Sequence, residues 1–156
     1  MSGSGMAADN FLNGVIVLDT SVVLKWFLRE GEAGREQALT LRQTYLEGRA
    51  QLLVPDLLLY EVANVLRYKQ DWDASRVAQA IHSILALKLQ IIPVSSALLQ
   101  RAVKLAYKHD LAVYDASFVA LAEENQAIFI TADQKAARRL RELPHVRSLT
   151  GVIASD

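Results

Sequence analysis

Short apolar runs alternate with longer amphipathic stretches along almost the whole chain, and few architectures accommodate that alternation. Val15–Leu18, Gln51–Val54, Gln90–Val94, Ala127–Thr131 and Val146–Leu149 have strand length and are rich in branched aliphatic residues. They read as near-continuous apolar runs, which predicts strands covered on both faces. The stretches between them carry helical spacing. Ser21 is placed to cap a helix through Val22–Leu28, broken by Arg29-Glu30-Gly31. Ala38, Leu41 and Tyr45 mark a second helix ending near Gly48, and Pro55 closes the second strand. Asp56 then caps a helix with Leu58, Val62 and Val65, and Asp73 opens one bearing Val77, Ile81, Ile84 and Leu85. Ser95 or Ser96 starts a helix with Leu98, Ala102 and Leu105. Tyr114 to Asn125 is helical, and Ala136, Leu140 and Leu143 define the last helix. Apolar strands that alternate with helices predict one three-layer α/β/α domain on a parallel sheet.

Length agrees with a single domain, expected over residues 14–150 with 151–156 as a tail. The opening Met-Ser-Gly-Ser-Gly-Met lacks the basic and apolar regions of a signal peptide. Residues 1–13 are read as a tag remnant with a disordered approach to the domain. With no cysteine, the chain has no disulfide, thiolate metal site or cysteine nucleophile. No apolar run approaches the length of a membrane span, and a cytoplasmic protein is expected. Lys plus Arg and Asp plus Glu both number 17, so any affinity for a polyanion must come from a local patch or a bound metal.

Against that background four acids stand out: Asp19 after the first strand, Glu61 within an apolar helix, Asp115 at a helix start, and Asp133 after the fourth strand. Ligands of open parallel sheets bind beyond the C-terminal strand ends, where Asp19 and Asp133 fall. Taken singly, Asp115 and Asp133 also fit ordinary helix caps, as Asp56 and Asp73 do, and Asp19 fits a turn-orienting role. Glu61 has no capping role, and with Asn64 one turn later it forms a polar stripe. Together the acids form an oxygen-only set with Ser21, Asn64 and Thr131 nearby, which suits Mg²⁺ or Mn²⁺ and disfavours zinc. His82, His109 and His145 lack metal-ligand spacing, and no serine elbow or phosphate-binding glycine loop is present.

Leu-Asp-Thr-Ser at 18–21, Glu-Val-Ala-Asn at 61–64, Tyr-Asp-Ala-Ser-Phe-Val-Ala-Leu-Ala at 114–122 and Thr-Ala-Asp at 131–133 occur in that order. The chain thereby resembles PIN-domain ribonucleases, and most closely the VapC toxins of toxin–antitoxin pairs, from Val15 to Leu149. The resemblance implies strand order 3-2-1-4-5 and a Mg²⁺- or Mn²⁺-dependent endoribonuclease acting on RNA, commonly tRNA or rRNA. It also implies a cognate antitoxin and a homodimer. Asp19 and Asp115 are the expected principal metal ligands. Asp133 would serve a second ion or its water, and Glu61 would ligate or orient the attacking water. Ser21, Asn64 and Thr131 would fix those carboxylates.

Lys135, Arg138 and Arg139 share a helical face and are read either as a solvated face or as contacts to RNA phosphates. Trp26, Phe27, Tyr60 and Tyr68 are expected mostly in the core, with one or two in a partner groove. The alternative is a PIN-fold protein that binds RNA or a partner without cutting. A phosphatase of the Asp-x-Asp type is disfavoured, since Ser21 stands where the second Asp would be.

Overall fold

The computed structural model describes residues 14–29 and 33–153. The expected tag remnant, Glu30 and Gly31 of the expected helix break, and residues 154–156 of the tail lie outside the described residues. Five strands form one all-parallel sheet: β1 (Val15–Leu18), β2 (Gln51–Pro55), β3 (Gln90–Ile92), β4 (Ile128–Thr131) and β5 (Val146–Ser148). Their order is β3-β2-β1-β4-β5, the order that the resemblance implied. In the centre, Ile16, Val17 and Leu18 pair with Ile128, Phe129 and Ile130.

Helices cover the sheet as its apolar runs require. They are α1 (Thr20–Leu24), α2 (Arg35–Leu46), α3 (Leu57–Arg67), α4 (Ala74–Ala86), α5 (Ser96–His109), α6 (Val113–Glu124), α7 (Gln134–Arg139) and α8 (Leu149–Ile153). Ile16, Val17, Leu18, Leu52, Leu53, Val54, Phe129 and Ile130 form the buried central layer. Among the described helices α6 buries the most residues, with Ala116 and every residue from Phe118 to Ala122 buried. Its small residues let it lie close across β1, β2 and β4, while α5 packs along it. Among the described residues, no helix is long and apolar enough to cross a membrane.

Several local expectations shift for identifiable reasons. The first helix is short, running from Thr20 to Leu24, and Asp19 rather than Ser21 occupies its N-cap. Ser21 spends its hydroxyl proton on the Asp19 carboxylate instead. Asp56 holds the N-cap position of α3 with helical backbone and makes no side-chain cap bond, whereas Asp73 and Ser95 do cap their helices. On α3 the third buried position is Leu66, not Val65, following Leu58 and Val62 at four-residue spacing. Gly48 ends the second helix region with φ 76, a conformation that favours glycine. Strand β3 stops at Ile92, leaving Val94 exposed. The last expected helix ends at Arg139, and α8, which the sequence patterning did not suggest, follows β5 directly.

Phe118 is fully buried and meets Phe129 with ring centroids 6.3 Å apart, tying α6 to β4. Truncation would open a cavity between helix and sheet that rigid neighbours cannot close. Phe118→Ala is expected to lower unfolding free energy by about 3–5 kcal/mol, measured by urea denaturation. A change below about 1 kcal/mol would contradict this packing.

Candidate active site

Asp19 sits one residue beyond β1, and its backbone N–H donates to the Ile130 carbonyl at 3.0 Å, extending the β1–β4 ladder. Its Oδ2 accepts from Ser21 Oγ at 2.5 Å and from Thr131 Oγ1 at 3.0 Å. Both hydroxyls are themselves bonded from the main chain: Ala132 N–H donates to Ser21 Oγ at 2.9 Å, and Asp133 N–H to Thr131 Oγ1 at 3.0 Å. A hydroxyl has one proton to give. With the main-chain N–H groups donating into them, Ser21 and Thr131 both direct that proton at Asp19. The result is a relay from backbone to hydroxyl to carboxylate that fixes the orientation of the acid.

Glu61 comes from the middle of α3, and its Oε1 accepts from Thr20 Oγ1 at 2.5 Å. Thr20 is a buried polar residue that the sequence reading passed over. Its signal was available, since a threonine between a strand-end acid and an apolar helix needs a partner when buried. Asn64, one turn from Glu61, is exposed and bonds none of the four acids. Asp115 lies in the first turn of α6. Asp133 is a true N-cap, its Oδ1 accepting from Lys135 N–H at 2.9 Å and Ala136 N–H at 3.3 Å. Both bonds use one oxygen, leaving Oδ2 outside the cap.

Electrostatics links these residues into one group. Burial, reinforced by the Asp115 charge, raises the Asp19 carboxyl above its ordinary value despite the opposing Ser21 and Thr131 bonds. Glu61 is raised by burial and by repulsion from Asp19 and Asp115, with the Thr20 hydroxyl pulling the other way. Asp115 is raised by partial burial and by the Asp133 charge, with Arg139 opposing. Asp115 is therefore coupled to each of the other three acids.

Lys135, Arg138 and Arg139 are exposed on α7. Arg139 donates to the Asp110 carbonyl at 2.8 Å and places its charge beside Asp115, so this cationic face borders the acidic crevice. Among the histidines, His82 is exposed and His145 lies 3.8 Å from Glu123, away from the four acids. Trp26 is buried, as expected, and donates to the Ala38 carbonyl. Tyr60 and Tyr68 are instead exposed, because α3 turns their positions away from the Leu58–Val62–Leu66 stripe.

A hard divalent cation suits the chemistry of this donor set: oxygen only, partly desolvated and repulsive without a counter-charge. Among the described residues, no three acids or histidines are gathered closely enough to form a ready cage. Mg²⁺ does not require one, since it commonly keeps several waters and uses one or two carboxylates with substrate phosphate.

A five-stranded parallel sheet flanked by helices, with Asp19 and Asp133 just beyond its central strands, defines an α/β domain. Residues 16–143 match the PIN domain family, and the chain belongs to that family. Solved structures share the fold. A toxin–antitoxin complex from Klebsiella pneumoniae is 21% identical, with TM-score 0.61, covering 86% of this chain and 97% of that one. VapC20 of Mycobacterium tuberculosis, a sarcin-ricin loop cleaving toxin, is 16% identical, with TM-score 0.61, covering 79% and 93% respectively. VapBC2 from Rickettsia felis, bound to a promoter DNA fragment, is 13% identical, with TM-score 0.60, covering 86% and 98%. Comparison with curated proteins gives no match.

The raised acids set the sign of a stability prediction. Above the ordinary carboxyl range near pH 4, the folded protein retains protons that the unfolded chain has released. Their contribution to stability is present at low pH and is lost as pH rises through the raised folded values. Without divalent metal, Asp115→Asn is expected to flatten this decline and to leave neutral-pH stability equal or higher. Urea titrations in EDTA at a series of pH values measure it, and a clear loss of stability in the variant would make Asp115 a structural cap.

Proposed function

We propose that this chain is a Mg²⁺- or Mn²⁺-dependent endoribonuclease of the VapC type, the toxin of a toxin–antitoxin pair acting in the cytoplasm. The observation that carries this reading is the hydroxyl-oriented Asp19 carboxylate, coupled through Asp115 to Glu61 and Asp133 at the C-terminal edge of the sheet. Asp19 and Asp115 are the proposed principal metal ligands, with Asp133 and Glu61 completing the set.

A bound divalent ion would neutralise charge on the phosphodiester in its transition state and polarise the attacking water. Thr131 and Ser21 keep Asp19 aimed into the crevice, and Thr20 does the same for Glu61. Glu61 is the proposed acceptor of the water proton, since its raised affinity for protons brings it closer to the neutral range that such a base needs. Lys135, Arg138 and Arg139 are proposed to hold the flanking phosphates, and Asn64 a polar group of the substrate.

RNA as substrate, tRNA or rRNA, and an antitoxin as partner rest on the resemblance to VapC toxins and on the toxin–antitoxin character of the structural neighbours. A homodimer has independent support. Leu99, Val103 and Tyr107 fall at four-residue spacing on α5 and are all exposed, Tyr107 to 87%. This apolar stripe suits a second copy. The second reading is a PIN-fold protein that binds RNA or a partner without cutting.

Chelation separates the two readings. Cleavage of total RNA is expected to need Mg²⁺ or Mn²⁺, to stop in excess EDTA, and to fall by at least about a hundredfold in Asp19→Asn. Cleavage undiminished by EDTA would sink the metal mechanism. At neutral pH, metal at about a hundred times its dissociation constant is expected to add about 2.7 kcal/mol of stability, read as a rise in Tm that Asp19→Asn loses.

Light scattering of the purified chain at micromolar concentration is expected to give a dimer mass, and Val103→Glu a monomer mass. A monomeric wild-type chain at low and moderate salt would refute the dimer alone.

A further inference from the structure

A depression of about 860 Å³ lies between the residues that follow α1, the start of α2 and the turn that joins α3 to α4. None of the four acids lines it. Four cations border it, Arg29, Arg35, Lys69 and Arg76, with Asp71 as the one acid among its described lining residues. The chain as a whole carries no net charge, so this excess is local. Among the described residues, ion pairs join Arg49 to Glu47 and both Arg101 and His145 to Glu123, and no carboxylate pairs with any of the four cations.

Two of these cations are positioned in ways that matter. The Arg76 guanidinium lies 3.9 Å from the Trp72 ring centroid, and its Nη1 donates to the Asp71 carbonyl at 3.0 Å, so it is held ready rather than loose in solvent. Arg35 is half-buried, and its Nε is buried with no hydrogen-bond acceptor. A buried donor left unmet is costly and uncommon in a folded chain. Arg35 is also the first residue of the 12-residue α2, and Gly34 before it offers no side-chain cap. The positive end of that helix therefore adds to the same wall. An oxyanion would supply both the acceptor and the counter-charge that this wall lacks.

Size and lining narrow the ligand. Sites for whole small molecules run to about 300–1000 Å³, and a lone inorganic phosphate would fill only a fraction of this one. Trp26, Phe27 and Trp72 supply aromatic wall beside the cations. Linked phosphates carried on a planar ring use both kinds of wall at once. We propose that this depression binds a free nucleoside diphosphate, with Arg29, Arg35 and Lys69 on the phosphates and the Arg76–Trp72 stack and Phe27 bordering the base. The site is independent of the ribonuclease reading, since it shares only Trp72 with the groove beside Glu61. A compact ligand suits it better than an RNA strand. Neither the four acids nor the α7 cations line it, so no continuous run of charge leads here from the acidic site.

Calorimetric titration of the full chain with UDP and with ADP tests this, in EDTA so that no divalent ion bridges phosphate to the four acids. One saturable site per chain is expected, with Kd in the micromolar range. Arg35→Gln and Lys69→Gln are each expected to weaken binding about tenfold, the loss of one charge-assisted hydrogen bond. Arg138→Gln, on α7, is expected to bind as the wild type does. Trp26 and Trp72 are the two tryptophans of the chain and both border the depression, so tryptophan fluorescence is expected to change with the same Kd. Lys69 is exposed, and Lys69→Gln is expected to keep the wild-type Tm. Should Arg35→Gln lose its fold, Arg35→Lys, which keeps the charge and loses the planar fork, is expected to bind more weakly than the wild type.

Absence of both heat and fluorescence change with UDP and ADP would overturn the proposal, as would equal affinity in the wild type and the Arg35 and Lys69 variants. Equal affinity for sulfate, pyrophosphate and UDP would overturn it too, leaving an unspecific cationic patch. Tighter binding of a 5′-phosphorylated heptauridylate than of UDP, weakened by the same substitutions, would replace the free nucleotide with RNA. Total-RNA cleavage in Mg²⁺ is followed separately and bears on the nuclease alone. Cleavage without UDP binding removes this site and leaves the nuclease, while UDP binding without cleavage does the reverse.

Discussion

The site depends on the register of β1 against β4. Leu18 pairs with Ile130, and the next step of the ladder sets Asp19 beside Thr131. From that juxtaposition follow the Thr131 bond to the Asp19 carboxylate and the approach of Ser21 to the Ala132 N–H. A slip of one residue would turn every side chain of β1 to the opposite layer, and a slip of two would carry Asp19 past its hydroxyl partners. The register is guarded by burial, since Ile16, Val17, Leu18, Phe129 and Ile130 have no alternative face to water. The apolar core and the polar site are in this sense one specification. The same contacts that bury the strands align the acid with its donors.

The sheet and its covering helices were legible in the sequence because burial on both faces leaves an unambiguous record of apolar runs. Strand order was not legible from patterning, since β1 pairs with strands distant in the chain, and it came from the resemblance. Helix limits were blurred where a side chain had two possible partners. Ser21 had the composition of a cap, yet the strand-end acid competes successfully for its proton. Asp56 also looked like a cap, and its own helical backbone leaves it without a cap bond. Spacing selected Asn64 through its distance from Glu61 along α3, but i and i+3 positions diverge around the helix enough to leave Asn64 exposed. The partner of Glu61 is Thr20, 41 residues away in sequence, a pairing that only the folded chain can declare. Among the aromatic residues, Trp26 is buried as its type suggests, while Tyr60 and Tyr68 line a groove. Tyr60 and Tyr68 have the composition of core residues and the helical phase of surface ones, and phase prevails.

Zero net charge conceals a sharp local separation. Four acids are electrostatically coupled with Arg139 of α7 beside Asp115, while Arg29, Arg35, Lys69 and Arg76 line a separate depression at Trp72. For exposed charges the field of each group fades within about 10 Å at moderate salt, so distribution matters more than the sum. Carboxylates alone would repel a polyanion at contact, which is why the proposed mechanism calls for a divalent ion there. Neutrality overall also limits the indiscriminate affinity for nucleic acid that a uniformly basic surface carries.

How the fold tolerates these acids explains why they are not equivalent. Asp19, Asp115 and Asp133 each stand at a helix start, where unsatisfied N–H groups present partial positive charge. The benefit is greatest for Asp133, which accepts two of those N–H groups directly, and Asp115 lies in the first turn of the 12-residue α6. Asp19 precedes a helix of only 5 residues, whose field is weak, and relies on two hydroxyls instead. Glu61 has no helix start at all. It sits mid-helix, repelled by Asp19 and Asp115, with Thr20 as its one hydroxyl donor. Among the described residues Asp115 has no hydroxyl donor, and it is raised by partial burial and by Asp133, with Arg139 opposing. Where each residue falls along its helix thus sets which groups oppose the burial and mutual repulsion that raise Asp19, Glu61 and Asp115 alike.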